Sequence, residues 1–92
     1  MKIIICDDDE YFVRCIYTYL RKIESEHNLL LEIQSFNCTD ALLNSVRLDQ
    51  EIKLIFLDII FTGSKVNGIK IAKEIEKINY KVKIVFITSY DS

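Results

Sequence analysis

Short apolar runs rich in β-branched residues alternate along this chain with longer segments in which apolar residues recur every three or four positions. Short continuous runs are typical of strands covered on both faces, and the longer segments are typical of amphipathic helices. Strands are therefore predicted over residues 2–6, 29–36, 53–57 and 81–87. Helices are predicted over residues 10–26, over 40–47 with Thr39 as N-cap, and over 68–78.

The predicted elements follow one another in the order β-α-β-α-β-α-β. Because a crossover helix returns the chain parallel to the preceding strand, this order predicts a doubly wound α/β fold, with a parallel sheet and helices on both faces. Ligands bind such sheets beyond the carboxyl ends of the strands. The residues that follow each strand are therefore the first candidates for function.

Composition narrows the class of protein. Of the 92 residues, 50% are apolar, and this high apolar content argues against disorder. The chain has 12 basic and 14 acidic side chains, and this slight acidic excess argues against direct contact with nucleic acid. The three cysteines, Cys6, Cys15 and Cys38, lie among apolar residues, so we expect buried free thiols in a reducing compartment. No apolar run reaches the roughly 20 residues of a membrane helix, and we expect a cytoplasmic protein without membrane contact.

Acidic and hydroxyl side chains follow three of the predicted strands. Asp7, Asp8 and Asp9 follow the first strand, Asp58 the third, and Thr88 and Ser89 the fourth. Parallel strands place these ends at one edge of the sheet, where the carboxylates would repel one another without a cation or a shared proton. Oxygen ligands in a shallow, hydrated site favour Mg²⁺. Taken singly, each residue has a plainer explanation, since acids begin helices and strand-end Asp or Thr residues form turns.

Four segments together resemble the receiver domain of two-component response regulators. They are IIICDDDE at the first strand, LIFLDI at the third, NGIKIAKEI at the start of the third helix, and IVFITSY at the fourth strand. The resemblance covers the whole chain and implies a flavodoxin-like sheet with strand order 2-1-3-4. The segments ICDDDEYF, FLDI and TSY are also similar to regulators that carry a LytTR-type DNA-binding output domain.

The resemblance implies a phosphoacceptor rather than an enzyme, with at most slow autodephosphorylation. Asp58 would accept a phosphoryl group from a sensor histidine kinase and so switch an output, which we expect to be transcription. Mg²⁺ would be held by Asp8, Asp58, the backbone carbonyl of Ile60 and waters. Asp7 would lie close to the ion or act on it through water.

Four further residues would act after the transfer, two beside the phosphoryl group and two at the entrance to the site. Thr88 would donate its hydroxyl to a phosphoryl oxygen, and Ser89 would leave room beside it. Ile60 and Tyr90, each two positions after a site residue, would flank the entrance and hinder an attacking water molecule. We therefore expect a long-lived phosphorylated state.

The chain departs from the family pattern in two places. The segment between Asp58 and Gly68 is longer than the pattern and lacks its proline. The family continues with a fifth strand ending in a lysine and with two more helices, so residues 1–92 are expected to form a receiver domain truncated after the fourth strand. Without that lysine phosphorylation should be slow or absent, and the apolar fourth strand should favour self-association, as a homodimer or by exchange of elements.

Two other functions stay open from the sequence. One is a receiver-like module that no longer switches and acts by docking or dimerisation. The other is a phosphatase of the haloacid-dehalogenase type, because Asp7 and Asp9 have the required spacing, although Glu10 and Tyr11 replace the small turn and the hydroxyl expected next. In such a phosphatase Asp7, and not Asp58, would be phosphorylated.

Overall fold

The structure, a computed structural model, describes residues 1–59 and 67–87. Its strands are β1 (Lys2–Cys6), β2 (Glu32–Phe36), β3 (Ile52–Asp58) and β4 (Lys83–Ile87). Its helices are α1 (Glu10–His27), α2 (Thr39–Leu48) and α3 (Gly68–Ile78). The strands form one parallel sheet in the order β2-β1-β3-β4, which confirms the predicted fold class. No helix within the described ranges is long and apolar enough to cross a membrane.

The core has two layers, one on each face of the sheet. The larger layer joins alternate residues of β1 and β3 to the buried faces of α2 and α3: Ile4, Cys6, Leu42, Val46, Ile55, Leu57, Ile71 and Ile75. In the smaller layer Ile3 and Ile5 pack with Leu20 of α1 and with Leu31. Since side chains alternate along a strand, a strand covered on both faces is apolar at consecutive positions.

The register between β1 and β3 determines which residues meet at the carboxyl edge of the sheet. Cys6, the last residue of β1, is paired with Leu57 of β3. The next residues on the two strands are Asp7 and Asp58, so the two carboxylates leave the sheet at the same level. Neighbouring parallel strands therefore place two of the predicted acids together.

The second strand begins at Glu32, so the prediction that it starts at residue 29 was wrong. Asn28 ends α1 in a left-handed conformation with φ 55°, and Leu29 N donates a hydrogen bond to Glu24 O at 3.0 Å. Leu31 N donates to Glu24 Oε2 at 2.6 Å, and this bond is the first cause of a lowered pKa for Glu24. Hydrogen bonds to Glu24 of α1 thus fix the backbone of residues 29–31, and β2 begins only at the next residue.

The fourth strand also begins later than predicted, at Lys83 instead of residue 81. Asn79, which is buried, organises a turn between α3 and β4. Its Oδ1 accepts a hydrogen bond from Lys81 N at 3.1 Å, and its backbone oxygen accepts one from Val82 N at 3.3 Å. Its Nδ2 donates to Gln50 O at 3.3 Å, which ties the turn to the segment before β3.

Two predictions about polar and thiol side chains were wrong. Thr39 is the first residue of α2, and Cys38 is its N-cap, without a capping hydrogen bond from its side chain. Cys15 and Cys38 are exposed, because Cys15 faces solvent on α1 and Cys38 lies in the connection before α2. Cys6 is buried as expected, and burial raises the pKa of its thiol to about 12.

Two leucines of α2 provide a matched test of this packing. Leu42 is fully buried, whereas Leu48 is 80% exposed. Leu42→Ala should lower the free energy of unfolding by about 2–5 kcal/mol, because it removes buried methyl groups and leaves a cavity. Leu48→Ala should change it by less than about 0.5 kcal/mol. Urea denaturation followed by circular dichroism measures both, and equal effects would contradict the described packing of α2.

Candidate functional site

Three carboxylates converge at the carboxyl edge of the sheet. Asp7, Asp8 and Asp58 each offer one oxygen, and these three atoms lie within 4.8 Å of one another. Asp7 and Asp58 are 2% and 1% exposed, whereas Asp8 is exposed. The end of β1 positions the first two, and the last residue of β3 is the third. The structure therefore brings together three residues that the sequence had singled out.

Asp7 is the member of this cluster whose ionisation is most clearly perturbed. Burial raises the pKa of Asp7 to about 6, and the neighbouring carboxylates of Asp58 and Asp8 contribute to the increase. The Asp9 amide opposes it by donating a hydrogen bond to Asp7 Oδ1 at 2.9 Å. Within the described ranges, Asp7 Oδ2 is buried and has no hydrogen-bond partner. A bound cation would satisfy this oxygen.

The acidic run after β1 divides into two parts with different roles. Asp9 is the N-cap of α1, where its Oδ1 accepts a hydrogen bond from Tyr11 N at 2.9 Å. Glu10 lies in the first turn of α1, where a negative charge is favoured by the helix dipole. Asp9 therefore lies outside the three-carboxylate cluster, and the plainer explanation of acids as helix starters holds for this half of the run.

Backbone contacts hold Asp58 in place from two sides. Asp58 is paired in register with Ile87, the last residue of β4, and Ile59 N donates to Ile87 O at 3.0 Å. From the other side, Gly68 N donates to Ile59 O at 2.6 Å. The sequence indicated Gly68 as the start of a helix and as part of a segment that resembles the receiver family. The one local signal for a closer contact is the rarity of glycine, which occurs twice in the chain.

The three carboxylates fit a divalent cation. They supply oxygen ligands, which hard cations prefer, and two of them are withdrawn from water. Carboxylates this close repel one another, which agrees with the raised pKa of Asp7, and a cation would remove that repulsion. The geometry thus supports a metal site made of Asp7, Asp8 and Asp58.

Four further predicted site residues lie outside the described residues. They are Ile60, Thr88, Ser89 and Tyr90. Their proposed roles in holding the metal, sensing the phosphoryl group and controlling access stay predictions. The described residues nearest to them in sequence are Ile59 and Ile87, whose backbones are joined by the hydrogen bond given above.

Comparison of the whole chain with known families identifies its class. The family model of the response regulator receiver domain matches residues 3–92. The chain therefore belongs to the response regulator receiver family. No curated protein matches the chain significantly in sequence.

Solved structures of response regulators show the same fold. The MaeR response regulator bound to beryllium trifluoride has 23% identity and a TM-score of 0.79, over 100% of this chain and 70% of that one. RcsB from Salmonella enterica serovar Typhimurium, bound to the promoter rprA with BeF3⁻, has 21% identity and a TM-score of 0.78, over 100% and 72%. A Burkholderia pseudomallei response regulator with a phosphorylated aspartic acid, a calcium ion and citrate has 18% identity and a TM-score of 0.70, over 99% and 48%.

The raised pKa of Asp7 makes the stability of the metal-free chain depend on pH. A group whose pKa rises from 3.8 to about 6 on folding favours folding at low pH, and this contribution is lost as the pH rises through the folded value. Asp7→Asn, which is isosteric and uncharged, should therefore raise the urea midpoint in EDTA above about pH 7 and leave it nearly unchanged near pH 4. Asp9→Asn is the matched control, since Asn also caps helices. An equal gain at both pH values would contradict the explanation.

Proposed function

We propose that this chain is the phosphoacceptor part of a signalling switch, and that Asp58 receives a phosphoryl group from a sensor histidine kinase. The observation that carries the proposal is the burial of Asp58 within a cluster of three carboxylates at the ends of neighbouring parallel strands. Membership in the receiver family supports Asp58 over Asp7 as the acceptor. The chain acts as an acceptor rather than as an enzyme, in the cytoplasm, with a sensor kinase as its partner.

The transfer is an in-line displacement at phosphorus. A carboxylate oxygen of Asp58 attacks the phosphorus of the kinase phosphohistidine while the P–N bond breaks, and its electron pair returns to the imidazole, leaving an acyl phosphate on Asp58. Mg²⁺, when bound, neutralises charge on the phosphoryl oxygens. Asp7 and Asp8 would hold the ion together with Asp58 and the Ile60 carbonyl. The backbone of residues 58–59 is held by β4 and by α3, and this would fix the position from which the Asp58 carboxylate attacks.

Similar structures agree with this chemistry. The Burkholderia pseudomallei regulator carries a phosphorylated aspartic acid and a calcium ion, MaeR is bound to beryllium trifluoride, and the RcsB structure was obtained in the presence of the phosphomimetic BeF3⁻. RcsB is bound to a promoter, which supports transcription as the output proposed here. With a net charge of −2, this chain has no excess of basic side chains for binding DNA, so the proposal assigns that contact to another domain.

Phosphorylation would reach the rest of the molecule through β4. Thr88 directly follows Ile87, and Ile87 is bonded to the residue that follows the acceptor. A hydrogen bond from the Thr88 hydroxyl to the phosphoryl group would form only after transfer and would draw the segment after β4 toward Asp58, with Ser89 leaving room for it. Ile60 and Tyr90 would limit access of water and so prolong the phosphorylated state.

The acceptor assignment predicts that phosphoryl uptake depends on Asp58 and on Mg²⁺. After incubation with Mg²⁺ and phosphoramidate, the intact mass of the chain should increase by one phosphoryl group. Asp58→Asn should show no increase, because its amide cannot form the acyl phosphate. Asp9→Asn should behave like the unaltered chain, because Asp9 lies outside the carboxylate cluster, and EDTA should abolish uptake in both.

The position of the label separates the competing functions. Borohydride reduction of the acyl phosphate, followed by peptide mass mapping, should mark the peptide that contains Asp58. A mark at Asp7 would support the phosphatase of the haloacid-dehalogenase type instead. No uptake by the unaltered chain, even after long incubation to allow for a slow reaction, would contradict the proposal that residues 1–92 accept a phosphoryl group on their own.

The edge of the sheet at β4 favours a second candidate, a receiver-like dimerisation module. Val85 and Phe86 point to opposite faces of β4 and are 41% and 42% exposed. In the described part of the chain β4 pairs with β3 alone, so its outer edge can accept another strand. The occupant would be a second copy of this chain. Antiparallel pairing of two β4 strands about Val85 would place Lys83 opposite Ile87 and so avoid opposing like charges.

The dimerisation candidate predicts a molar mass that depends on concentration. Size-exclusion chromatography with light scattering should show a monomer–dimer equilibrium for the unaltered chain. Val85→Lys should shift it to monomer, because a lysine on an edge strand opposes strand pairing. Tyr80→Lys is the control, since Tyr80 is also an exposed large side chain, at 80% against 41% for Val85, but precedes the strand. A monomer at every concentration would contradict this candidate.

A further inference from the structure

Gly68, the first residue of α3, lies against the backbone of the proposed phosphoacceptor. It is buried, and a Cβ atom placed on it would overlap the carbonyl oxygen of Asp58. The same Cβ would lie 2.9 Å from the Cα of Ile59 and 3.0 Å from the carbonyl carbon of Asp58. All three neighbours are backbone atoms, which cannot rotate away as the end of a long side chain can.

Space, and not backbone conformation, is the reason for glycine at this position. Gly68 is the first residue of α3, and its φ lies outside the range of +20° to +160° that L side chains rarely adopt. Another residue could therefore adopt the backbone geometry of Gly68. Alanine would normally favour a helix over glycine, so the opposition to this substitution comes from the close contacts with the backbone of Asp58 and Ile59.

The segment that Gly68 touches has little freedom to move. Gly68 N donates to Ile59 O at 2.6 Å, and Ile59 N donates to Ile87 O at 3.0 Å. The backbone of residues 58–59 is therefore enclosed between the start of α3 and the end of β4. A methyl group at residue 68 must displace either α3 or the backbone that carries the Asp58 carboxylate.

We infer that Gly68 is a positioning residue for the phosphoacceptor: its missing side chain lets α3 close onto the Asp58 backbone and so sets where that carboxylate lies relative to Asp7 and Asp8. This inference rests on the proposed function, and it assigns a role to a residue that touches no substrate. The three carboxylate oxygens lie within 4.8 Å of one another, so a small backbone shift changes the site they form.

The test compares Gly68→Ala with Ala72→Gly. Ala72 lies in the same helix and is buried, but it belongs to the apolar core. Ala72→Gly should therefore weaken α3 while leaving the Asp58 backbone in place. Gly68→Ala should lower the Mg²⁺ affinity, measured by isothermal titration calorimetry, by about ten- to a hundredfold, as for other residues that orient metal ligands. It should also slow phosphoryl uptake and shift the amide resonances of Asp58 and Ile59, whereas Ala72→Gly should keep the unaltered Mg²⁺ affinity.

Several outcomes would overturn the inference. Two of them concern Mg²⁺ affinity: no change of that affinity in Gly68→Ala, or an equal loss of it in Ala72→Gly. The third is a Gly68→Ala chain with the circular dichroism spectrum of an unfolded protein, since the contact would then serve folding alone. Absence of phosphoryl uptake by the unaltered chain would overturn the proposed function, while the Mg²⁺ titration would still decide the role of Gly68. An unaltered chain that binds no Mg²⁺ would overturn both.

Discussion

The pairing of β1 with β3 is the constraint on which the rest of the structure depends. Both strands are buried between two apolar layers, and the register of Cys6 with Leu57 makes Asp7 and Asp58 leave the sheet together. Two buried carboxylates at this spacing oppose folding, as the raised pKa of Asp7 shows. Apolar burial around the two central strands offsets that penalty, so a pair of carboxylates that opposes folding is attached to strands that supply much of the buried core.

The elements that agree with prediction are those whose signals are local. The bounds of β1 and α3 match the predicted residues, because a continuous apolar run ends at Cys6 and a clear helical period begins at Gly68. The starts of β2 and β4 were misplaced because distant groups determine them. The side chain of Glu24 holds Leu31, and Gln50 anchors the turn at Asn79. No pattern in residues 29–31 or 79–82 reveals these partners.

The same distinction applies to the candidate site. The sequence indicated that Asp7, Asp8 and Asp9 would lie at the same sheet edge as Asp58, since this follows from strand ends in a parallel sheet. The strand pattern alone could not divide the run, although the family resemblance singled out Asp7 and Asp8. The division depends on where α1 begins, because Asp9 caps that helix while Asp7 and Asp8 remain at the cluster. Nor could the sequence show the contact of Gly68 with Asp58, which arises from how α3 packs against the end of β3.

The contrast among the three cysteines has a practical consequence. At neutral pH the Cys6 thiol is almost wholly protonated and buried, whereas Cys15 and Cys38 are open to solvent. An alkylating reagent should therefore modify two thiols of the native chain quickly and reach the third only when β1 opens. Cys6 directly precedes Asp7 and Asp8. The rate at which the native Cys6 thiol is alkylated would therefore report how often the strand before two of the three carboxylates leaves the sheet, and no engineered cysteine is needed.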